Sequence, residues 1–281
     1  MTQVHAPVRS RIPAHVQVQR PAHLKQILDE TERALEHAAQ LIVWTGPVGR
    51  GKTLAAHLLI ERVCARDDTK HAARYLLAAG SDQHKGTARQ AAGARLLYTE
   101  ILGAIISTTR AREVGVQGMA RDIVNYCRAD GTRLVVVDEA GALSAEQLRG
   151  IAMITDCARD EGVPLTVLLV GMDGLAHKLA GTPQVRRRVK RSFLFPDWLV
   201  ADVARFVLAH APSLRASRHT PDFGPAIHKL VALAGGELSR LETVCQMLED
   251  SVREDPNQAP LMTAVLLASE LKQEWEDVAA I

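Results

Sequence analysis

The segment Gly46-Pro47-Val48-Gly49-Arg50-Gly51-Lys52-Thr53 constrains this 281-residue chain more tightly than any other. It fits G-x-x-x-x-G-K-[ST], a pattern that carries meaning only between a strand and a helix. Both flanks read that way. Leu41 to Thr45 is a short apolar run, and from Lys52 to Arg66 the residues Leu54, Leu58, Leu59 and Val63 recur on one side of a helix. Gly46, Gly49 and Gly51 give the backbone the freedom to turn several N–H groups inward onto phosphate oxygens. The helix starting at Lys52 adds the positive end of its dipole. In such a loop Lys52 reaches the β- and γ-phosphates and the Thr53 hydroxyl binds magnesium. The predicted nucleotide-binding set is therefore Gly46, Pro47, Val48, Gly49, Arg50, Gly51, Lys52, Thr53 and Leu54, with ATP and Mg2+ as the ligands.

Leu134-Val135-Val136-Val137-Asp138-Glu139 is a second constraint: an apolar strand that ends in adjacent acids. Two carboxylates at a buried strand end are costly without a cation. Placed beside the phosphate-loop strand, this strand would put Asp138 on the magnesium and let Glu139 polarise an attacking water. Taken alone, the segment equally fits a solvated turn after an edge strand. The phosphate loop upstream selects the first reading.

Further short strands are expected at Ala73–Ala79, Leu165–Val170 and Ser192–Phe195. They alternate with helices at Ala22–Ala39, from beyond Arg89 to near Thr108, at Gly118–Ala129 and at Ala145–Arg159. Apolar strands alternating with helices predict a parallel sheet covered on both faces. With 47% hydrophobic residues but only 4% aromatic ones, its core must be mainly Ala, Leu and Val. After Pro196 the pattern is helical, at about Trp198–Ala211, Gly224–Ala234, Leu238–Arg253 and Met262–Asp277. The expected division is a basic arm over residues 1–20, a P-loop α/β domain over 21–196 and a helical lid with a C-terminal helix over 197–281. The arm carries Arg9, Arg11 and Arg20 with no acid before Asp29, and fits a partner-binding segment or an ordinary terminus.

Net charge is +2, which excludes no class of partner. The cysteines Cys64, Cys127, Cys157 and Cys245 form no C-x-x-C pair and read as free thiols in a reducing compartment. The strongest apolar run, Val163 to Val170, is too short to span a bilayer. With no signal peptide at the start, the expectation is a soluble, cytoplasmic protein with no membrane partner.

Together, GPVGRGKT, LVVVDEAGAL, VLLVGMDGLAHKL, QVRRRVKRSFLF and GGELSRL resemble the AAA+ ATPases, and within them the DNA-transposition regulators of the TniB/TnsC and Mu B type, over roughly Pro21 to Asp250. The first two segments mark P-loop ATPases in general; the third and fourth, in that order and spacing, are more specific. The resemblance implies a five-stranded parallel sheet flanked by helices, with a small helical lid. It implies an ATPase that is slow until stimulated and that assembles as a homo-oligomer or filament on the backbone of double-stranded DNA, where it selects target sites for a transposase together with target-selection proteins. Arg188 matches the arginine finger, with Arg186, Arg187 and Arg191 as alternatives in a blurred register; the same cluster also fits a DNA-contacting patch. Arg240 matches the lid residue that senses nucleotide. The sensor-1 position, usually small and polar, is Met172 here, with Asp173 as a substitute; a thioether is a poor partner for water or phosphate. Candidate DNA contacts are Lys85, Arg89, Arg110 and Arg112. Two alternatives stay open: another AAA+ role such as helicase loading or secretion, and a switch that binds ATP without useful turnover.

Overall fold

The computed structural model describes residues 22–36, 40–68, 71–78, 101, 116–235, 237–257 and 259–279. The predicted basic arm, the helix expected to end near Thr108, and Lys85, Arg89, Arg110 and Arg112 lie outside them. The described chain forms two compact units. One holds His23–Gly46 and Lys52–Phe195; the other holds Pro47–Gly51 and the chain from Pro196 onward.

The first unit contains α1 (Ala22–Leu35), β1 (Gln40–Thr45), α2 (Lys52–Arg66), β2 (Ala73–Leu77), α3 (Val116–Asp130), β3 (Leu134–Asp138), α4 (Ala145–Asp160), β4 (Thr166–Val170), α5 (Asp173–Ala180), α6 (Pro183–Arg186) and β5 (Val189–Leu194). The strands form one five-stranded sheet in the order β2-β3-β4-β1-β5. Every pairing is parallel. The predicted fold class is thus the observed one, a parallel α/β sheet flanked by helices with further helices at the C-terminal end. One expectation needs correction: β3 does not neighbour the phosphate-loop strand, because β4 lies between them. The helical crossovers decide which strands become neighbours, and an apolar run carries no record of them.

Successive strand residues point to opposite faces, yet Leu134, Val135, Val136 and Val137 are all buried, so both faces are covered. On one face Leu41, Val43, Val135, Val137, Val167 and Leu169 pack with Ile123, Val124, Leu148 and Ile151 of α3 and α4. Trp44 is fully buried with its ring centroid 5.3 Å from that of Phe195. Its indole Nε1 donates to Thr31 Oγ1 at 3.2 Å, so the polar edge of this large ring is satisfied.

β5 begins three residues earlier than the apolar pattern suggests. Lys190, Arg191 and Ser192 are exposed on this edge strand, and charged residues there blunt strand-to-strand association. The helices α5 and α6 were not anticipated.

In the second unit α7 (Val200–His210), a 3-10 segment (Pro212–His219), α8 (Phe223–Leu233), α9 (Leu238–Glu254) and α10 (Pro260–Ala279) share a core of Val203, Val207, Leu214, Ile227, Leu230, Leu241, Val244, Leu248 and Ala268. Among the described residues no helix is long and apolar enough to cross a membrane.

Candidate nucleotide site

Open parallel sheets bind ligands beyond the carboxyl ends of their strands, and the first unit gathers its chemistry there. β1 runs into Gly46 with φ 148°, where an added Cβ would lie 2.6 Å from the Phe195 carbonyl oxygen. Only glycine lets the chain pass Phe195 and turn. Lys52 Nζ donates to the Gly46 carbonyl at 2.8 Å, which closes the loop on itself.

Thr53, in the first turn of α2, donates from Oγ1 to Asp138 Oδ2 at 2.7 Å. Asp138 is 3% exposed. Its Oδ1 accepts the Glu139 N–H at 2.8 Å, and its Oδ2 also accepts the Tyr75 hydroxyl at 2.8 Å. Three neutral donors thus hold the buried Asp138 carboxylate; its fit to magnesium lies in the oxygens themselves, a carboxylate and a hydroxyl beside the phosphate loop, as one or two protein oxygens plus phosphates would hold that ion. The sequence residues predicted to hold magnesium, Thr53 and Asp138, are therefore brought into direct contact across 85 positions of chain. Burial pushes the Tyr75 phenol up, and the charge of Asp138 beside it pushes it further, so the hydroxyl stays a donor.

Glu139 is exposed, with φ 52° and ψ 33°, a left-handed conformation unusual for a side-chain-bearing residue. The turn it opens is fixed from three directions. Ala142 N–H donates to the Glu139 carbonyl at 2.9 Å. Lys178 of α5 donates to the carbonyls of Gly141 and Leu143. Ser144 caps α4 reciprocally with Gln147, at 3.2 Å for Gln147 N–H to Ser144 Oγ and 2.8 Å for Ser144 N–H to Gln147 Oε1. Met172 sits just before α5 and is 48% exposed; Asp173 opens that helix and is also exposed.

The arginine cluster is not uniform. Arg188 is half-buried, with Nε 2.6 Å from Asp156 Oδ2 and Nη1 donating to the Gln184 carbonyl. Arg186, Arg187 and Arg191 are exposed.

The second unit contains the middle of the loop. Gly49 has φ 73°, and a Cβ there would meet Glu237 atoms, its Cα among them, at 2.7 Å. Trp198 Nε1 and the Leu238 N–H both donate to the Gly49 carbonyl, each at 3.3 Å. Arg50 is buried and pairs with Asp197 at 2.7 Å, while Pro47 and Val48 are exposed. Arg240, in the first turn of α9, lies 3.2 Å from Glu237 Oε2, and its guanidinium carbon is 5.0 Å from the Trp275 ring centroid. Sequence reasoning missed Tyr75, Lys178, Trp198 and Glu237. No local pattern marks Tyr75, Lys178 and Trp198, because each acts through a partner distant in sequence, and none marks the approach of Glu237 to Gly49.

A family model described as "AAA domain" matches residues 33–179, just over half of the chain. The chain belongs to the AAA domain family. Solved structures similar to this AAA domain include the ORC2 protein of Aeropyrum pernix in ADPNP–ADP complexes, with a TM-score of 0.65 and 15% identity over 94% of this chain and 70% of that one. The ORC1 protein of the same organism in complex with DNA gives 0.56 and 17%, over 90% and 67%. Domain III of the replication initiation protein DnaA from Thermotoga maritima gives 0.51 and 10%, over 90% and 94%. At these identities the likeness is one of fold. Curated protein sequences gave no match to the AAA domain chain.

Proposed function

We propose that this chain is a magnesium-dependent ATPase that works on DNA as an oligomer, in the manner of the transposition regulators that its motifs resemble. The observation that carries the ATPase reading is the Thr53–Asp138 contact at 2.7 Å, which brings together the two oxygens expected on magnesium. Lys52, at the helix start, suits the β- and γ-phosphates, and Arg240 is assigned to nucleotide sensing. Glu139 is assigned to orienting the attacking water, and Arg188, held by Asp156, to the finger reaching a neighbouring subunit's γ-phosphate. Magnesium would supply charge neutralisation of the phosphates; the chain's own residues bind, orient and accept the water's proton.

Support for DNA as partner comes from the fold shared with an ORC1 protein solved in complex with DNA. The transposition reading rests on the resemblance of VLLVGMDGLAHKL and QVRRRVKRSFLF, in that order and spacing, to that group. Contacts from Lys85, Arg89, Arg110 and Arg112 would be backbone-directed and sequence-tolerant. The domain division at residues 20 and 196 belongs to the same reading.

A second reading, a nucleotide switch with little turnover, is favoured by Met172, whose exposed thioether replaces a polar sensor. Electron microscopy with random duplex DNA and a non-hydrolysable ATP analogue tests the first reading. It expects nucleotide-dependent filaments or rings on DNA, and naked DNA would refute it. DNA-stimulated phosphate release separates the ATPase from the switch.

A further inference from the structure

Tyr75 occupies a position that nothing in the phosphate-loop pattern demands. In the parallel pairing of β2 with β3 it stands opposite Val136, and Asp138 is two residues further along the partner strand. Strand side chains alternate, so Asp138 and Tyr75 project from the same face of the sheet, on a diagonal that only a long side chain can span. The phenol spans it, with Oη 2.8 Å from Asp138 Oδ2. The same oxygen accepts from Thr53 Oγ1 at 2.7 Å.

The ring has a second partner. His57 lies one helical turn after Thr53, so both project from one side of α2. The His57 ring stacks on Tyr75 with centroids 4.6 Å apart and planes 28° from parallel. One face of α2 therefore docks on β2 and β3 at two points, Thr53 on the carboxylate and His57 on the phenol that bonds the same carboxylate.

We propose that Tyr75 is a positioning residue for magnesium: by donating to Oδ2, and braced by His57, it fixes the orientation in which the Asp138 carboxylate meets the ion. The inference rests on the reading of Asp138 and Thr53 as magnesium-side residues. Groups that orient a metal-binding side chain act on affinity without touching the metal, and losing one typically costs about 10- to 100-fold in metal binding. The alternative is a plain structural bond that satisfies a buried acid. It predicts lower stability and unchanged magnesium dependence.

Tyr75→Phe separates the two, because it keeps the ring and its stack on His57 and removes only the hydroxyl. The full-length chain, its Tyr75→Phe variant and an Asp138→Ala variant are titrated with MgCl2 in the presence of a fluorescent ADP analogue, with an EDTA baseline and a thermal melt for each. The expected result is an increase of about 10-fold or more in the magnesium concentration needed for half-maximal nucleotide binding by Tyr75→Phe, with the EDTA baseline affinity unchanged. Half-saturation equal to the parent's, whatever the melting temperature, overturns the role of Tyr75. If Asp138→Ala also matches the parent, or the parent shows no magnesium dependence, the magnesium reading of the site falls with it.

Discussion

Replacing Gly49 by alanine tests how firmly the loop's middle is fixed within the second unit. Two costs act at once. Gly49 has φ 73°, where a side chain costs about 1 kcal/mol, and its new Cβ would meet the Cα, Cβ and Cγ of Glu237 at 2.7 Å. The Cα cannot move without its backbone, so forcing a methyl group in adds about 1–3 kcal/mol. The expected total is about 2–4 kcal/mol. Gly235→Ala is the control in the same unit. It shares the left-handed backbone at φ 61°, but its Cβ would meet only the flexible end of Arg240 at 3.6 Å, so it carries the backbone term alone, about 1 kcal/mol. Urea unfolding followed through tryptophan fluorescence, to which Trp198 and Trp275 of this unit contribute beside Trp44 of the first, measures both variants against the parent. Gly49→Ala should exceed Gly235→Ala by about 1–3 kcal/mol. Equal losses would show that Glu237 yields freely and that the 2.7 Å approach is not a rigid contact.

Glu139→Gln should keep ATP binding, since Asp138 and Thr53 are untouched, and slow turnover by about 10²- to 10⁴-fold; unchanged steady-state phosphate release would remove Glu139 from the chemistry. Arg188→Ala subunits, which keep the phosphate loop, should regain ATPase activity when mixed with Lys52→Ala subunits, which keep the arginine. Normal activity of Arg188→Ala alone, with graded loss of DNA binding across the cluster, would instead assign these arginines to DNA. Burial pushes the thiols of Cys127 and Cys245 up to about 12, so at pH 8 iodoacetamide should leave both unmodified in the folded chain and label them in urea. Labelling of either in native buffer at the unfolded rate would contradict their packing.

The parts of the fold that announce themselves are those in which one local rule dominates. Leu41–Val43 of β1 and Leu134–Val137 of β3 are runs of buried aliphatic residues, and the start of α2 at Lys52 is dictated by the loop before it. The start of β5 was hidden because an edge strand with Lys190, Arg191 and Ser192 exposed has no apolar alternation to read. α5 carries Gly174 in an eight-residue helix, and α6 is a four-residue turn begun by Pro183, so both looked like loop. Within the candidate site, Thr53 was picked out by the phosphate-loop pattern and Asp138 by the pair of acids that closes an apolar strand. Tyr75 was not, since an aromatic residue in a short strand looks like ordinary core. Nor did sequence disclose that Arg188 binds Asp156, because nothing in a basic run says which member finds an acid on another helix.

The left-handed backbone at Glu139 sets two selective pressures against each other. At φ 52° and ψ 33° glycine or asparagine would relax the backbone, whereas neither offers a carboxylate to water. On the proposed role of Glu139, a population of variants screened only for heat resistance should therefore drift away from glutamate at this position, toward residues that stabilise the fold and slow turnover. A population screened for phosphate release should hold glutamate there despite the strain. With Glu139 in the proposed role, codon 139 becomes a place where the screen applied can be read from the residue recovered, and where stabilising the protein by consensus or by calculation would slow its chemistry unnoticed.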